Sequence, residues 1–127
     1  YEIVYPELVR EPVDLLLTIS NDTWFGDSIG PHQHLAIARM RALENGRWLL
    51  RATNNGLTAI VDDRGGIRAA LAQFEPGVLR GEYRIMEGRT PFNLFGPWPL
   101  YGLLLAAAIG LAITGSPVGA ALRKAQK

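Results

Sequence analysis

Residues 90–122 carry no charged side chain, and residues 100–114 are almost wholly apolar. A helix built from that run has no polar face to give to water, so it has to be buried in lipid or in protein. Residues 98–122 are long enough to cross a bilayer, whose apolar core takes about 20 residues of helix. Trp98 and Tyr101 stand at one end, where amphipathic rings favour the interface, and Arg123, Lys124 and Lys127 stand at the other. Basic ends favour the cytoplasm, which puts the residues before Trp98 on the opposite side, in a bacterium the periplasm. A buried core helix is the alternative, but the run is closed by Arg123 and Lys124 and shows no polar stripe. Gly115, Ser116 and Pro117 weaken the last turns, so regular helix is expected to stop near Thr114.

The residues ahead of this run read as a different kind of structure. Pro6 and Glu7 suit the start of a short helix over residues 6–10. Residues 13–20 form a continuous apolar run ending in polar residues, which predicts a strand buried on both faces. Pro31 opens a helix that Gly46 is placed to stop. Ala36, Met40 and Leu43 share one face of it, and Arg41 and Glu44 are spaced to pair. Residues 48–53 and 57–61 read as strands around an Asn54-Asn55-Gly56 turn. Residues 62–66 make a hairpin connection to a strand over 67–71. A further strand is expected over 78–86. This order predicts an α/β domain whose sheet ends in antiparallel strands. The domain takes residues 1–88, a Pro- and Gly-rich linker 89–97, the membrane helix 98–122 and a basic tail 123–127.

Composition narrows the function. The net charge of +1 excludes the strongly basic surface of a nucleic-acid-binding domain. With no cysteine there is neither a disulfide framework nor a thiol nucleophile within these residues. The loop Ser20-Asn21-Asp22-Thr23-Trp24-Phe25-Gly26-Asp27 follows the C-terminal end of a strand, where α/β folds place their sites. Trp24 and Phe25 there either line a pocket for an apolar substrate or cap the domain's own core. His32-Gln33-His34 lacks a third ligand at a metal-site spacing and reads as a polar helix start with hydrogen-bonded imidazoles. Asn54-Asn55-Gly56 reads as a turn that could also present amides. No phosphate loop or nucleophile elbow is present.

Tyr1-Glu2, the run over residues 18–34, Ala38-Arg39-Met40-Arg41-Ala42-Leu43-Glu44, Leu50-Arg51-Ala52-Thr53-Asn54-Asn55-Gly56 and Gly96-Pro97-Trp98-Pro99-Leu100 together resemble the apolipoprotein N-acyltransferase family. That family lies within the nitrilase, or carbon–nitrogen hydrolase, superfamily. The resemblance covers essentially the whole chain and implies the C-terminal half of a nitrilase-like α-β-β-α sandwich followed by one transmembrane helix. It implies an integral enzyme of the bacterial inner membrane, with its catalytic domain periplasmic and its C-terminus cytoplasmic. Such an enzyme moves an acyl chain from a phospholipid, through a cysteine thioester, to the α-amino group of the diacylglyceryl-cysteine of a lipoprotein. No cofactor is implied, and the enzyme is expected to act as a monomer.

The resemblance further implies a Glu-Lys-Cys triad whose Cys is directly followed by Tyr-Glu. The chain is thus expected to be a fragment, with its nucleophile just before Tyr1 and the triad Glu and Lys further upstream. The thiolate would attack the phospholipid ester, and the lipoprotein amine would then attack the thioester. Glu would act as base and acid, and Lys would stabilise the oxyanion together with the Tyr1 N–H. Tyr1 and Glu2 therefore flank the catalytic site, Glu2 beside the Lys or the incoming ammonium. Ser20, Asn21, Trp24 and Phe25 form the substrate-binding loop, with Trp24 at the acyl-chain pocket or its entrance. Two other readings compete: a membrane-tethered carbon–nitrogen hydrolase, and an anchored interaction domain without a nucleophile.

Overall fold

The computed structural model describes residues 2–10 and 12–115, with the side chains of Glu2 and Thr114 outside the description. It resolves into two compact units, residues 1–94 and 95–127.

The first unit is mixed α/β. Two 3₁₀ turns, Glu2–Val4 and Pro6–Val9, lead to β1 (Leu16–Asn21). A single 3₁₀ turn, Thr23–Phe25, separates β1 from α1 (Gly30–Asn45). Then come β2 (Leu49–Asn54), β3 (Ala59–Val61), β4 (Ile67–Ala70) and α2 (Pro91–Phe95). The sheet order is β1-β2-β3-β4. β1 and β2 are parallel, with Leu16 opposite Leu49 and Asn21 opposite Asn54. β2 with β3 and β3 with β4 are antiparallel, as the hairpin reading required. The β1–α1–β2 crossover is the reason the first pair can be parallel: parallel neighbours need a long connection, and α1 supplies it.

Apolar contact between the sheet and α1 makes the core. Leu16, Leu49, Ala59 and Val61 come from the strands, Leu35, Ala38 and Ala42 from the helix, and Ile3 from the first turn. Pro31 stands at the start of α1, and Gly46 ends it in the left-handed region at φ 60°. There its N–H reaches the Ala42 and Leu43 carbonyls, satisfying groups the helix leaves open.

Three expectations are corrected here, and one short element is added. The strand over residues 13–20 is shorter, and it is not buried on both faces: Leu17 is 67% and Ile19 79% exposed. Among the described residues the core side chains meet α1 and the first turn on one face of the sheet, and nothing covers the face that carries Leu17 and Ile19. The face of α1 that packs is the one holding Leu35, Ala38, Arg41, Ala42 and Asn45, while Ala36, Met40 and Leu43 are exposed. Small alanines won over the larger apolar residues because the helix lies close against the sheet. Residues 78–86 form no strand. Pro76, Gly77 and Gly81 interrupt the start of the segment, where a strand would need pairing and packing, and it runs irregularly over the surface. Finally, residues expected as linker include α2, tied down by Asn93. Its side chain donates to Asn45 Oδ1 at 3.0 Å and to the Arg10 carbonyl at 2.9 Å.

The second unit contains α3 (Trp98–Gly115). Every side chain described on it is exposed, and apolar residues ring it completely. Trp98 and Tyr101 meet edge to face at its start, 5.9 Å between centroids. Among the described residues no helix is long and apolar enough to cross a membrane. The 18 residues of α3 reach about 27 Å at about 1.5 Å per residue, short of the roughly 30 Å of a bilayer core. The expected span is therefore not seen whole. Residues 116–122 and the basic tail 123–127 lie outside the described residues.

Candidate active-site flank

A cleft of about 460 Å³ opens at the C-terminal end of β1. Ile19, Ser20 and Asn21 line it from the strand, Trp24 and Phe25 from the following turn. Gly30, Gln33, His34 and Ile37 line it from α1, and Val4 from the first 3₁₀ turn. This is where a parallel strand pair places a site, because strand carbonyl ends and helix start converge there. Its wall is mainly apolar, and Trp24 is 80% exposed at its edge. Trp24 thus does not fill the domain's own core. Phe25 is 39% exposed and packs across Gly30, where any added side chain would collide with the ring.

Asp22 sits in the cleft wall with its side chain fully buried. Burying a carboxylate is costly unless it is paired and hydrogen-bonded. Three contacts meet that cost, and a fourth, through the backbone, holds the loop in place. Arg51 Nη2 on β2 lies 2.7 Å from Asp22 Oδ2, with both side chains at 0% exposure. Ser20 Oγ donates to Oδ1 at 3.0 Å. His34 Nδ1 on α1 is 2.9 Å from the same oxygen. The Asp22 N–H donates to the Asn54 carbonyl at 3.2 Å, joining the loop to the end of β2. Gly56 has to be glycine, since a Cβ there would overlap the Asp22 carboxylate.

Burial pushes the Arg51 guanidinium below its ordinary value, and the Asp22 charge and hydrogen bond oppose this. Its Nε and Nη1 are buried and find no partner among the described residues. At the sheet's other end Asp62 caps the β3–β4 turn. Burial alone would raise its carboxyl, but the backbone N–H groups of Gly66 and Arg64 and the Arg68 guanidinium outweigh that and hold it below the ordinary value.

The residues read from the sequence fall out unevenly. Ser20, Asn21, Trp24 and Phe25 come together in one cleft wall. Asn21 also closes the turn, its Oδ1 accepting the Thr23 N–H at 3.1 Å. Glu2 lies in the turn that supplies Val4 to the cleft, and Tyr1 lies outside the described residues. His34 is in the cleft wall, whereas His32 is exposed on α1. Asn54 and Asn55 border a neighbouring pocket at the end of β2, with Asn55 in the left-handed region at φ 58°. Asp22 and Arg51 were quoted within motifs but not singled out. A charged residue between Leu50 and Ala52 in a buried strand was the available signal, because such a residue needs a buried partner.

The family model for carbon-nitrogen hydrolases matches residues 1–86. The chain belongs to the carbon–nitrogen hydrolase family. Within that family it is similar to apolipoprotein N-acyltransferases. It is 55% identical to the one from Vibrio vulnificus over 116 residues, 88% of this chain and 23% of that protein. It is 53% identical to the one from Pseudomonas aeruginosa over 117 residues, 87% of this chain and 23% of that protein. It is 57% identical to the one from Azotobacter vinelandii over 106 residues, 81% of this chain and 20% of that protein. The chain thus spans under a quarter of the length of these curated relatives. Its α/β unit is the part matched by the carbon–nitrogen hydrolase family model.

Proposed function

We propose that this chain is part of an acyltransferase that moves an acyl chain from a phospholipid, through a cysteine thioester, to the amino terminus of a diacylglyceryl lipoprotein. The observation that carries the reading is the apolar cleft at the end of β1, whose wall includes Val4 two residues after Glu2. The nucleophile is assigned to the residue before Tyr1, on the chain leading into that wall. Tyr1 and Glu2 flank it, Tyr1 through its N–H at the oxyanion and Glu2 beside the lysine or the incoming ammonium. Trp24 and Phe25 hold the acyl chain, and Ser20 and Asn21 shape the polar end. The triad Glu and Lys belong to the upstream remainder of the protein.

The two-step chemistry suits such a cleft. A thiolate attacks the ester carbonyl, the lysophospholipid leaves as its alkoxide takes a proton, and a thioester remains. The acceptor amine then attacks the thioester carbonyl and gives up a proton to the triad Glu, which had supplied the proton to the leaving alkoxide, and the carbon–sulfur bond breaks to return the thiolate. An apolar wall holds the acyl chain through both steps and lets its binding energy orient the carbonyl.

Residues 1–88 are assigned to the C-terminal half of a nitrilase-like α-β-β-α sandwich, 89–97 to a connection, 98–122 to a membrane helix and 123–127 to a cytoplasmic tail. The exposed faces of Leu17 and Ile19 suit a sheet whose other layer comes from upstream chain. An α3 apolar on all sides suits lipid. The catalytic domain would then face the periplasm of a bacterial inner membrane. The protein would act as a monomer without a cofactor.

A carbon–nitrogen hydrolase tethered to the membrane is the competing reading. Purified full-length protein, phosphatidylethanolamine and a diacylglyceryl-cysteine peptide separate the two. The acyltransferase reading expects N-acylated peptide and lysophospholipid in equal amounts. Free fatty acid with no acylated peptide would contradict it.

A further inference from the structure

Asp22, His34 and Arg51 form a chain of contacts that runs from the interior of the sheet to the cleft. Arg51 is buried in β2 and pairs with Asp22 Oδ2 at 2.7 Å. Ser20 Oγ and His34 Nδ1 both meet Oδ1, at 3.0 and 2.9 Å. A carboxylate held by a guanidinium only accepts hydrogen bonds, so His34 Nδ1 carries the proton of the shared bond. Of the two ring nitrogens, Nε2 is then the one left as an acceptor. The His34 side chain is 16% exposed and lines the cleft, with Phe25 edge-on at 6.4 Å between ring centroids. Among the described residues Asp22 and His34 are the titratable side chains lining that cleft, and Arg51 faces Asp22 from behind on β2.

We infer that this relay is a polar anchor: Asp22 fixes the imidazole so that His34 Nε2 accepts a hydrogen bond from the amino group of a ligand whose apolar part lies against Trp24 and Phe25. This rests on the functional reading above, which puts acylated molecules in the cleft. An ammonium is the fitting partner, since charge-assisted hydrogen bonds are the strong ones and the rest of the wall is largely apolar. A burial as costly as that of Asp22 and Arg51 is out of proportion for merely capping a loop, because well-packed apolar residues do as well. Two sources offer such an amino group: an ethanolamine headgroup on the acyl donor and the free α-amine of the acceptor.

The test uses the full-length protein with His34→Asn and His34→Gln. Asn keeps an N–H for Asp22 and removes Nε2; Gln places an amide near the Nε2 position. Loss of one hydrogen bond to a charged group raises KM about tenfold. His34→Asn is expected to do this with kcat changed less than twofold, and His34→Gln to recover part of the loss. A rise for phosphatidylethanolamine but not phosphatidylglycerol in thioester formation assigns the headgroup. A rise for a diacylglyceryl-cysteine peptide in the transfer step assigns the α-amine. An unchanged KM for both overturns the anchor.

The imidazole nitrogen shifts of the same protein, assigned by their loss in His34→Asn, read the anchor without turnover. They are expected to show Nδ1 protonated, and Nε2 moving when the amine-bearing lipid or peptide is added. A protonated Nε2 in the free protein, or one indifferent to both ligands, overturns it. If the unsubstituted protein forms no thioester, the functional reading falls and these shifts alone decide the anchor.

Discussion

Gly56 leaves no room for a side chain: a Cβ there would lie 2.9 Å from both Cβ and Cγ of Asp22. Gly56→Ala is therefore expected to lower stability by about 1–3 kcal/mol, the usual cost of overpacking; chemical denaturation measures it. Arg51→Met is expected to cost more, about 3–5 kcal/mol, because it strands the Asp22 charge in the interior. Asp22→Asn added to it should return part of that loss, since the stranded charge is gone. At the cleft edge Trp24 is mostly exposed, so Trp24→Ala is expected to leave folding nearly unchanged yet lower kcat on the order of tenfold, through lost acyl-chain positioning. It should lower turnover more than His34→Ala; equal turnover would mean that the aromatic only packs. At this scale the gathering of the loop residues in one cleft wall was legible, since the loop follows the C-terminal end of a strand. The Asp22–Arg51 pair was not legible. Residues 29 positions apart leave no periodic trace, and only the register of β1 against β2 brings them together.

Elements with a strong local rule came through from the sequence, and those without one did not. α1 is fixed by Pro31 and Gly46, and the β3–β4 hairpin by its Asp-Gly-rich turn, where Gly65 takes φ 75°. The open face of β1 was hidden, because a continuous apolar run looks the same whether its second face is already covered or is open. Residues 78–86 were misread because the alternation of Glu82, Tyr83, Arg84 and Ile85 imitates a strand, while hydrogen-bonded pairing with a neighbour is what makes one. The hairpin carries a pH prediction. Asp62 has a folded value below its unfolded one, so its contribution is present above the unfolded value and is lost as pH falls through the folded value. Melting temperature followed from neutral pH down to strongly acidic pH should therefore fall less steeply in Asp62→Asn than in the unsubstituted protein. Parallel curves would contradict the assignment.

At the scale of the whole molecule the chain divides into an α/β unit with a cleft and an apolar helix with no polar side. The family model covers residues 1–86 of the first unit, and the uncharged run of residues 90–122 dominates the second. That run was legible from composition alone, whereas the nucleophile rests on resemblance, because it is assigned to a position ahead of Tyr1. The central claim is that this cleft serves a thioester on that residue. The most direct measurement is intact mass spectrometry of the full-length protein after incubation with phosphatidylethanolamine. The account predicts an added acyl mass that hydroxylamine removes and that is lost when the residue before Tyr1 is replaced by alanine. Folded protein that gains no acyl mass, or an adduct that hydroxylamine leaves in place, would contradict it.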